Sequence, residues 1–125
     1  TNITIQLDMD HNKPPINKII EINIFRICQE ALANIAKHAK ATLVNLQIES
    51  KSGILNIKII DNGKGIKSSK LHNPLSMGLL NMQERANLIG AKINIISSPQ
   101  TGTMIELITG IHGKKSINSR RSLRH

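Results

Sequence analysis

Arg26-Ile27-Cys28-Gln29-Glu30-Ala31-Leu32-Ala33-Asn34-Ile35-Ala36-Lys37-His38-Ala39 carries a polar stripe inside a helical pattern. At 3.6 residues per turn, Glu30, Asn34 and His38 stack on one face, with Lys37 just beside them. Phe25, Ile27, Cys28, Ala31, Leu32, Ile35, Ala36 and Ala39 flank the stripe, so the helix is expected to be otherwise buried. An acid, an amide and two cations on such a helix need partners, because burying them unpaired is costly. Water on a solvated face is one source of partners. A metal ion held against phosphates is another: a carboxylate and an amide oxygen one turn apart suit a hard cation, and Lys37 or His38 would neutralise phosphate charge. The stripe alone does not separate the two.

About twenty residues further on comes Asp61-Asn62-Gly63-Lys64-Gly65-Ile66. Asp61 leaves an apolar strand pattern, and Gly63 and Gly65 permit close approaches that a side chain would forbid. A plain turn accounts for the pattern when it is taken alone. A carboxylate at a strand end can also accept from an amine while a flat ring lies against the glycines, which suits an adenine. Neither G-x-x-x-x-G-K-[ST] nor G-x-G-x-x-G is present, so neither of those nucleotide folds is indicated.

Working outward, Ile3–Met9 alternates like a half-buried strand, and Pro14-Pro15 ends that stretch. Asn17 is the expected N-cap of a helix over Lys18–Ala39. Leu43–Glu49 and Ile54–Ile60 read as an antiparallel hairpin with Lys51-Ser52-Gly53 as its turn, placing Val44, Leu46, Ile48, Leu55, Ile57 and Ile59 inward. Lys67–Met77 lacks periodicity and reads as a loop. Gly78 opens a helix over Leu79–Ile89 that buries Leu79, Met82, Ala86 and Ile89, and Gly90 closes it. Strands over Lys92–Ile96 and Thr103–Thr109 complete a β-α-β-β-loop-α-β-β order. The expected fold is an α/β (α+β) two-layer sandwich, with helices on one face of a mixed, mostly antiparallel sheet of about five strands.

The chain of 125 residues fits one domain, and its net charge is +9. Lys114, Lys115, Arg120, Arg121 and Arg124 crowd the last dozen residues. Without them twelve basic side chains face eight acidic ones, an ordinary excess, so Gly113–His125 reads as a disordered basic extension. One Phe and neither Trp nor Tyr leave no stacking platform for nucleic acid. Cys28 is the single cysteine, which excludes a disulfide and a zinc site and reads as a buried structural thiol. Neither a transmembrane run nor a signal peptide is visible, and a cytosolic domain is the expectation.

Four segments carry a family resemblance. Arg26–Ala39 resembles the N box of bacterial sensor histidine kinases, and Asp61–Ile66 their first glycine box. Met77-Gly78-Leu79-Leu80-Asn81-Met82-Gln83-Glu84-Arg85-Ala86 resembles the second glycine region, and Gly102-Thr103 the closing glycine-threonine element. The particular forms are similar to the nitrate-sensor and desaturase-sensor branch. The resemblance implies a Bergerat-type fold over residues 1–111, with 112–125 as the tail, that binds ATP and magnesium. It implies that Asn34 ligates the metal and that Glu30 assists through water or as a polarising carboxylate. Lys37 and His38 would meet phosphates. Asp61 would accept from the adenine amine, helped by Thr103. Gly63 and Gly65 would admit the ring, with Ile35, Ile66 and Met82 as apolar walls, and Gly78 and Leu79 would begin the helix behind the lid, where free N–H groups suit an anion.

The aromatic box of many such kinases is missing, the loop before Gly78 is short, and no histidine stands in a Glu-Leu-His-Asp block. The implied function is therefore a catalytic domain that transfers the γ-phosphoryl of ATP to a histidine on a dimerisation domain outside this chain. A response regulator is an indirect partner, the fragment is expected to be monomeric and the parent a homodimer, and no specific nucleic acid is expected. The alternative is a stand-alone relative, an anti-sigma-factor serine kinase or an ATPase in which Glu30 activates water.

Overall fold

In the computed structural model, residues 3–9, 15–38, 40–63, 78–98, 100 and 102–112 are described. The elements are β1 (Thr4–Met9), α1 (Lys18–His38), β2 (Leu43–Lys51), β3 (Ile54–Asp61), α2 (Leu79–Leu88), β4 (Lys92–Ser98) and β5 (Gly102–Gly110). Asn17 caps α1: its Oδ1 accepts from the amides of Ile19 at 2.8 Å and Ile20 at 3.4 Å, supplying two of the N–H groups that a helix start leaves unpaired. At the other helix, Gly90 follows the C-cap Ile89 with φ 69°, the left-handed conformation that lets the chain turn off a helix end.

The hairpin is tighter than expected. Lys51 pairs with Ile54, so only Ser52 and Gly53 form the turn, at φ 53° and 77°. Two consecutive left-handed residues match the twist of the flanking strands. The sheet order is β1-β2-β3-β5-β4, with β1 parallel to β2 and every other pair antiparallel. Each pair of parallel strands needs a crossover: α1 joins β1 to β2, and α2 lies on the path from β3 to β4, with β5 inserted between them. The cross-strand rows Val44–Asp61, Leu46–Ile59–Ile105–Ile95 and Ile48–Ile57–Leu107–Ile93 form the inner face. Ile27, Ala31 and Ile35 from α1 and Met82 and Ala86 from α2 close over it in one core.

Both helices therefore lie on the same face, while the strand pairs they join run in opposite directions and step the same way across the sheet. The two crossovers consequently have opposite hands. One of them is of the left-handed kind that parallel units avoid.

Two expectations about burial are overturned. β1 is exposed along its whole length rather than half-buried. Ile5 and Leu7 pair with Val44 and Leu46 and so continue the inner row, yet they remain 55% and 59% exposed. The strand is at the sheet edge, beyond the reach of the helix layer. Nor is α1 buried around its circumference, for Phe25 is 58% exposed and Ile19, Ile22 and Ala36 are also exposed. A helix lying on one sheet and beside one other helix covers about half its girth. The remainder faces outward whatever its sequence.

Candidate nucleotide-binding site

Two groups of the sequence-predicted residues are assembled at separate places. The first is at the end of the central strands. Asp61 is the last residue of β3 and lies across from Thr103, one step beyond the Ile60–Met104 pair. It is 2% exposed. Its Oδ1 accepts from the Gly63 amide at 2.6 Å, while Oδ2 is buried and has no hydrogen-bond partner. A buried carboxylate oxygen without a donor is costly in a folded protein and marks a place where a ligand donor is expected. Asn45 Oδ1 is the other such atom among the described residues, and strand alternation puts it on the outer face.

The neighbours of Asp61 fix it closely. Gly102 has φ 86°, and a Cβ there would strike the Asp61 carbonyl oxygen and stand 2.8 Å from its Oδ1. Only glycine lets β5 begin this close to the carboxylate. Thr103, fully buried, shares a hydroxyl–hydroxyl hydrogen bond of 3.1 Å with Ser97 across the β4–β5 pair. Asn62, beside Asp61, fastens the loop to the start of β2. Its Oδ1 accepts from the amides of Thr42 and Leu43 at 3.0 Å each, and its Nδ2 donates to Thr42 Oγ1 at 3.0 Å.

The second group is where α1 meets α2. Gly78, the N-cap of α2, has φ 63°, and a Cβ there would strike Glu30 Oε2 and lie 3.0 Å from its Cδ. The Glu30 carboxylate thus packs against the start of α2, near the N–H groups that favour an anion. A groove of about 490 Å³ runs beside it, lined by Arg26, Gln29, Glu30, Ala33, Lys37, Asn81 and Arg85. Three cations and one acid give that groove a positive bias. Arg26 donates to Gln29 Oε1 at 3.1 Å and Arg85 to Asn23 Oδ1 at 3.4 Å.

The stripe on α1 is not uniform. Asn34 is 5% exposed, Glu30 half-buried and Lys37 exposed. His38 ends the helix, and its side chain lies outside the described residues, as do Gly65 and Ile66. Ile35 and Met82 are fully buried in the core, and Leu79 is half-buried. Arg26, Gln29, Asn81, Arg85, Asn62 and Ser97 join these sites without having been singled out. The spacing Arg26, Glu30, Ala33, Lys37 is a helical face legible in the sequence, whereas the Ser97–Thr103 and Asn62–Thr42 contacts depend on strand register. Among the described residues no group of three or more His, Cys, Asp or Glu side chains converges to hold a metal.

The family of histidine kinase-, DNA gyrase B- and HSP90-like ATPases matches residues 19–110. The sensor histidine kinase LiaS of Bacillus subtilis is 41% identical over 103 residues, covering 82% of this chain and 28% of the relative. The sensor protein VraS of Staphylococcus saprophyticus is 43% identical over 101 residues, covering 80% and 28%. The chain thus spans little more than a quarter of the length of these relatives. Among solved structures, the histidine kinase domain of the Erythrobacter litoralis blue-light-activated histidine kinase superposes with a TM-score of 0.74 at 22% identity, covering 88% of this chain and 52% of that one. The Acinetobacter baumannii histidine kinase AdeS gives 0.71 at 17%, covering 88% and 55%. At those identities the likeness is one of fold. From the family match the chain belongs to the histidine kinase-, DNA gyrase B- and HSP90-like ATPase family, and the sequence relatives named above are sensor kinases.

Proposed function

We propose that this domain binds ATP with Mg²⁺ and serves a longer sensor kinase by presenting the γ-phosphoryl to a histidine on a dimerisation domain. The observation that carries the nucleotide reading is Asp61 Oδ2, buried and without a donor beside the glycine approach at Gly102. The adenine 6-amine is a donor of the right kind. A guanine would set its O6 acceptor against the carboxylate instead, which is repulsive.

In this reading Thr103 supports base recognition, and Gly63, Gly65 and Ile66 border the ring. Asn34, with Glu30, would hold Mg²⁺, a hard cation that takes few protein ligands beside a substrate phosphate. The metal supplies charge neutralisation on the phosphates. Lys37 and His38 would meet phosphates, and the N-terminal amides at Gly78 and Leu79 would add positive potential. In the transfer itself the bond from the γ-phosphorus to its bridging oxygen breaks, ADP leaves, and a bond forms to an imidazole nitrogen of the acceptor. Glu30 stands as the polarising carboxylate. The domain contributes position and electrostatics rather than a nucleophile of its own.

The partners, the response regulator downstream, a homodimeric parent and a cytoplasmic setting are proposed on the strength of the named relatives. The forms of Gln29-Glu30-Ala31-Leu32 and Glu84-Arg85-Ala86 support the nitrate- and desaturase-sensor branch. The basic segment 112–125, proposed as a tail outside the domain, falls almost wholly beyond the described residues. No helix among those described is long and apolar enough to cross a membrane.

Calorimetry with a non-hydrolysable ATP analogue, with and without Mg²⁺, tests the proposal. Asp61→Asn is expected to weaken binding by roughly tenfold or more, as loss of a charge-assisted hydrogen bond implies. Asn34→Asp is expected to alter the magnesium dependence. Unchanged affinity in Asp61→Asn would sink the adenine assignment.

A further inference from the structure

Asn62 has been given no contact with the nucleotide, yet its side chain makes three hydrogen bonds with residues some twenty positions away. Thr42 N and Leu43 N both donate to Oδ1, and Nδ2 donates to Thr42 Oγ1, each at 3.0 Å. Its own amide donates to the Leu43 carbonyl at 3.1 Å. An exposed asparagine gains little stability from pairing with groups that water would otherwise satisfy. What such a clamp supplies is geometry.

The residues on either side of Asn62 are the ones whose geometry matters. Asp61 offers its unpartnered Oδ2, and the orientation of that carboxylate is set by one bond from the Gly63 amide to Oδ1 at 2.6 Å. That amide is aimed by the backbone at Asn62. If the loop rotates there, the Gly63 N–H swings away and the carboxylate is free to turn. Gly102 leaves little room behind Asp61, since even a Cβ there would strike the Asp61 carbonyl oxygen. The carboxylate is therefore held from three sides: by β5 behind, by Gly63 ahead and through the Asn62 clamp onto β2.

We propose that Asn62 is a positioning residue for base recognition, locking the loop so that Asp61 presents Oδ2 to the 6-amino group of the nucleotide. This rests on the reading of Asp61 as the adenine acceptor. Preorganising a single acceptor has a specific consequence. It strengthens binding of a purine bearing the amine and does nothing for one without it. A merely structural asparagine would affect both ligands alike.

The test compares two probes on the full chain: ATP, and purine riboside 5′-triphosphate, which lacks the 6-amine. In wild type ATP is expected to bind roughly tenfold tighter or better. Asn62→Ala is expected to reduce that preference to about threefold or less, chiefly by weakening ATP. Thr42→Val removes only the acceptor of Nδ2 and is expected to narrow the preference by a smaller factor, which keeps a readout should Asn62→Ala fail to fold. Asn62→Asp keeps an oxygen for the Thr42 and Leu43 amides and is expected to retain most of the preference. Equal weakening of both nucleotides, or an unchanged preference in the folded variants, overturns the role of Asn62. Absence of any preference in wild type overturns the reading of Asp61 itself, so the two failures are told apart.

Discussion

Gly102 and Gly53 both have positive φ, 86° and 77°, but their surroundings differ. A Cβ at Gly53 meets nothing within 4 Å, whereas one at Gly102 strikes the Asp61 backbone. Gly53→Ala is expected to cost about 1 kcal/mol through backbone strain alone. Gly102→Ala is expected to cost about 2–3 kcal/mol because overpacking is added. Urea denaturation of the two variants measures the difference; equal costs would contradict the close packing behind Asp61. Cys28 bears a different signal. Desolvation by burial raises its thiol from 9.0 to about 11, so it stays neutral at physiological pH and reacts slowly with thiol reagents. The folded state holds this proton more tightly than the unfolded state. Its contribution to stability is therefore complete below pH 9 and is lost as pH rises toward about 11. Thermal melts of wild type and Cys28→Ala between pH 8 and 11 should converge across that window if the thiol is responsible.

The elements of secondary structure differ in how much they depend on burial. β1 follows the alternation Ile5, Leu7, Met9 and pairs in register with β2, but it is an edge strand with its inner row exposed. Leu7→Ala is expected to cost less than about 1 kcal/mol, against about 2–5 kcal/mol for Leu55→Ala in the central strand β3. Asn17→Ala, which removes the cap of α1, is expected to cost about 1 kcal/mol. Chemical denaturation of the three variants provides the ranking, and a Leu7 cost equal to that of Leu55 would mean that β1 is covered. These elements were legible beforehand because their causes are local. Capping at Asn17, period-two alternation in β3 and the glycine after α2 are set by residues a few positions apart. The exposure of Phe25 was not legible, because a helix packed on one sheet and beside one other helix keeps an outward side whatever its apolar content.

For the whole molecule, ligand linkage gives a direct check. A nucleotide that binds the folded state alone raises stability by about 2.7 kcal/mol at a hundred times its dissociation constant. Thermal melting with the ATP analogue and Mg²⁺ should show that increase, and Asp61→Asn should abolish most of it. With labelled ATP no phosphohistidine is expected on this chain, since none of its histidines has the acceptor context; labelling at any of them would contradict the division of labour proposed. The order of elements, the family and the identity of Asp61, Asn34 and Glu30 as polar groups in otherwise apolar patterns are readable from the chain, since each follows from periodicity or a short motif. The tertiary structure alone decided that Asp61 Oδ2 lacks a donor, that Glu30 packs on Gly78 and that Asn62 grips Thr42. It also decided that one crossover is left-handed. Those are relations between residues far apart in the chain, and they exist only once strand order, register and the common face of both helices are established.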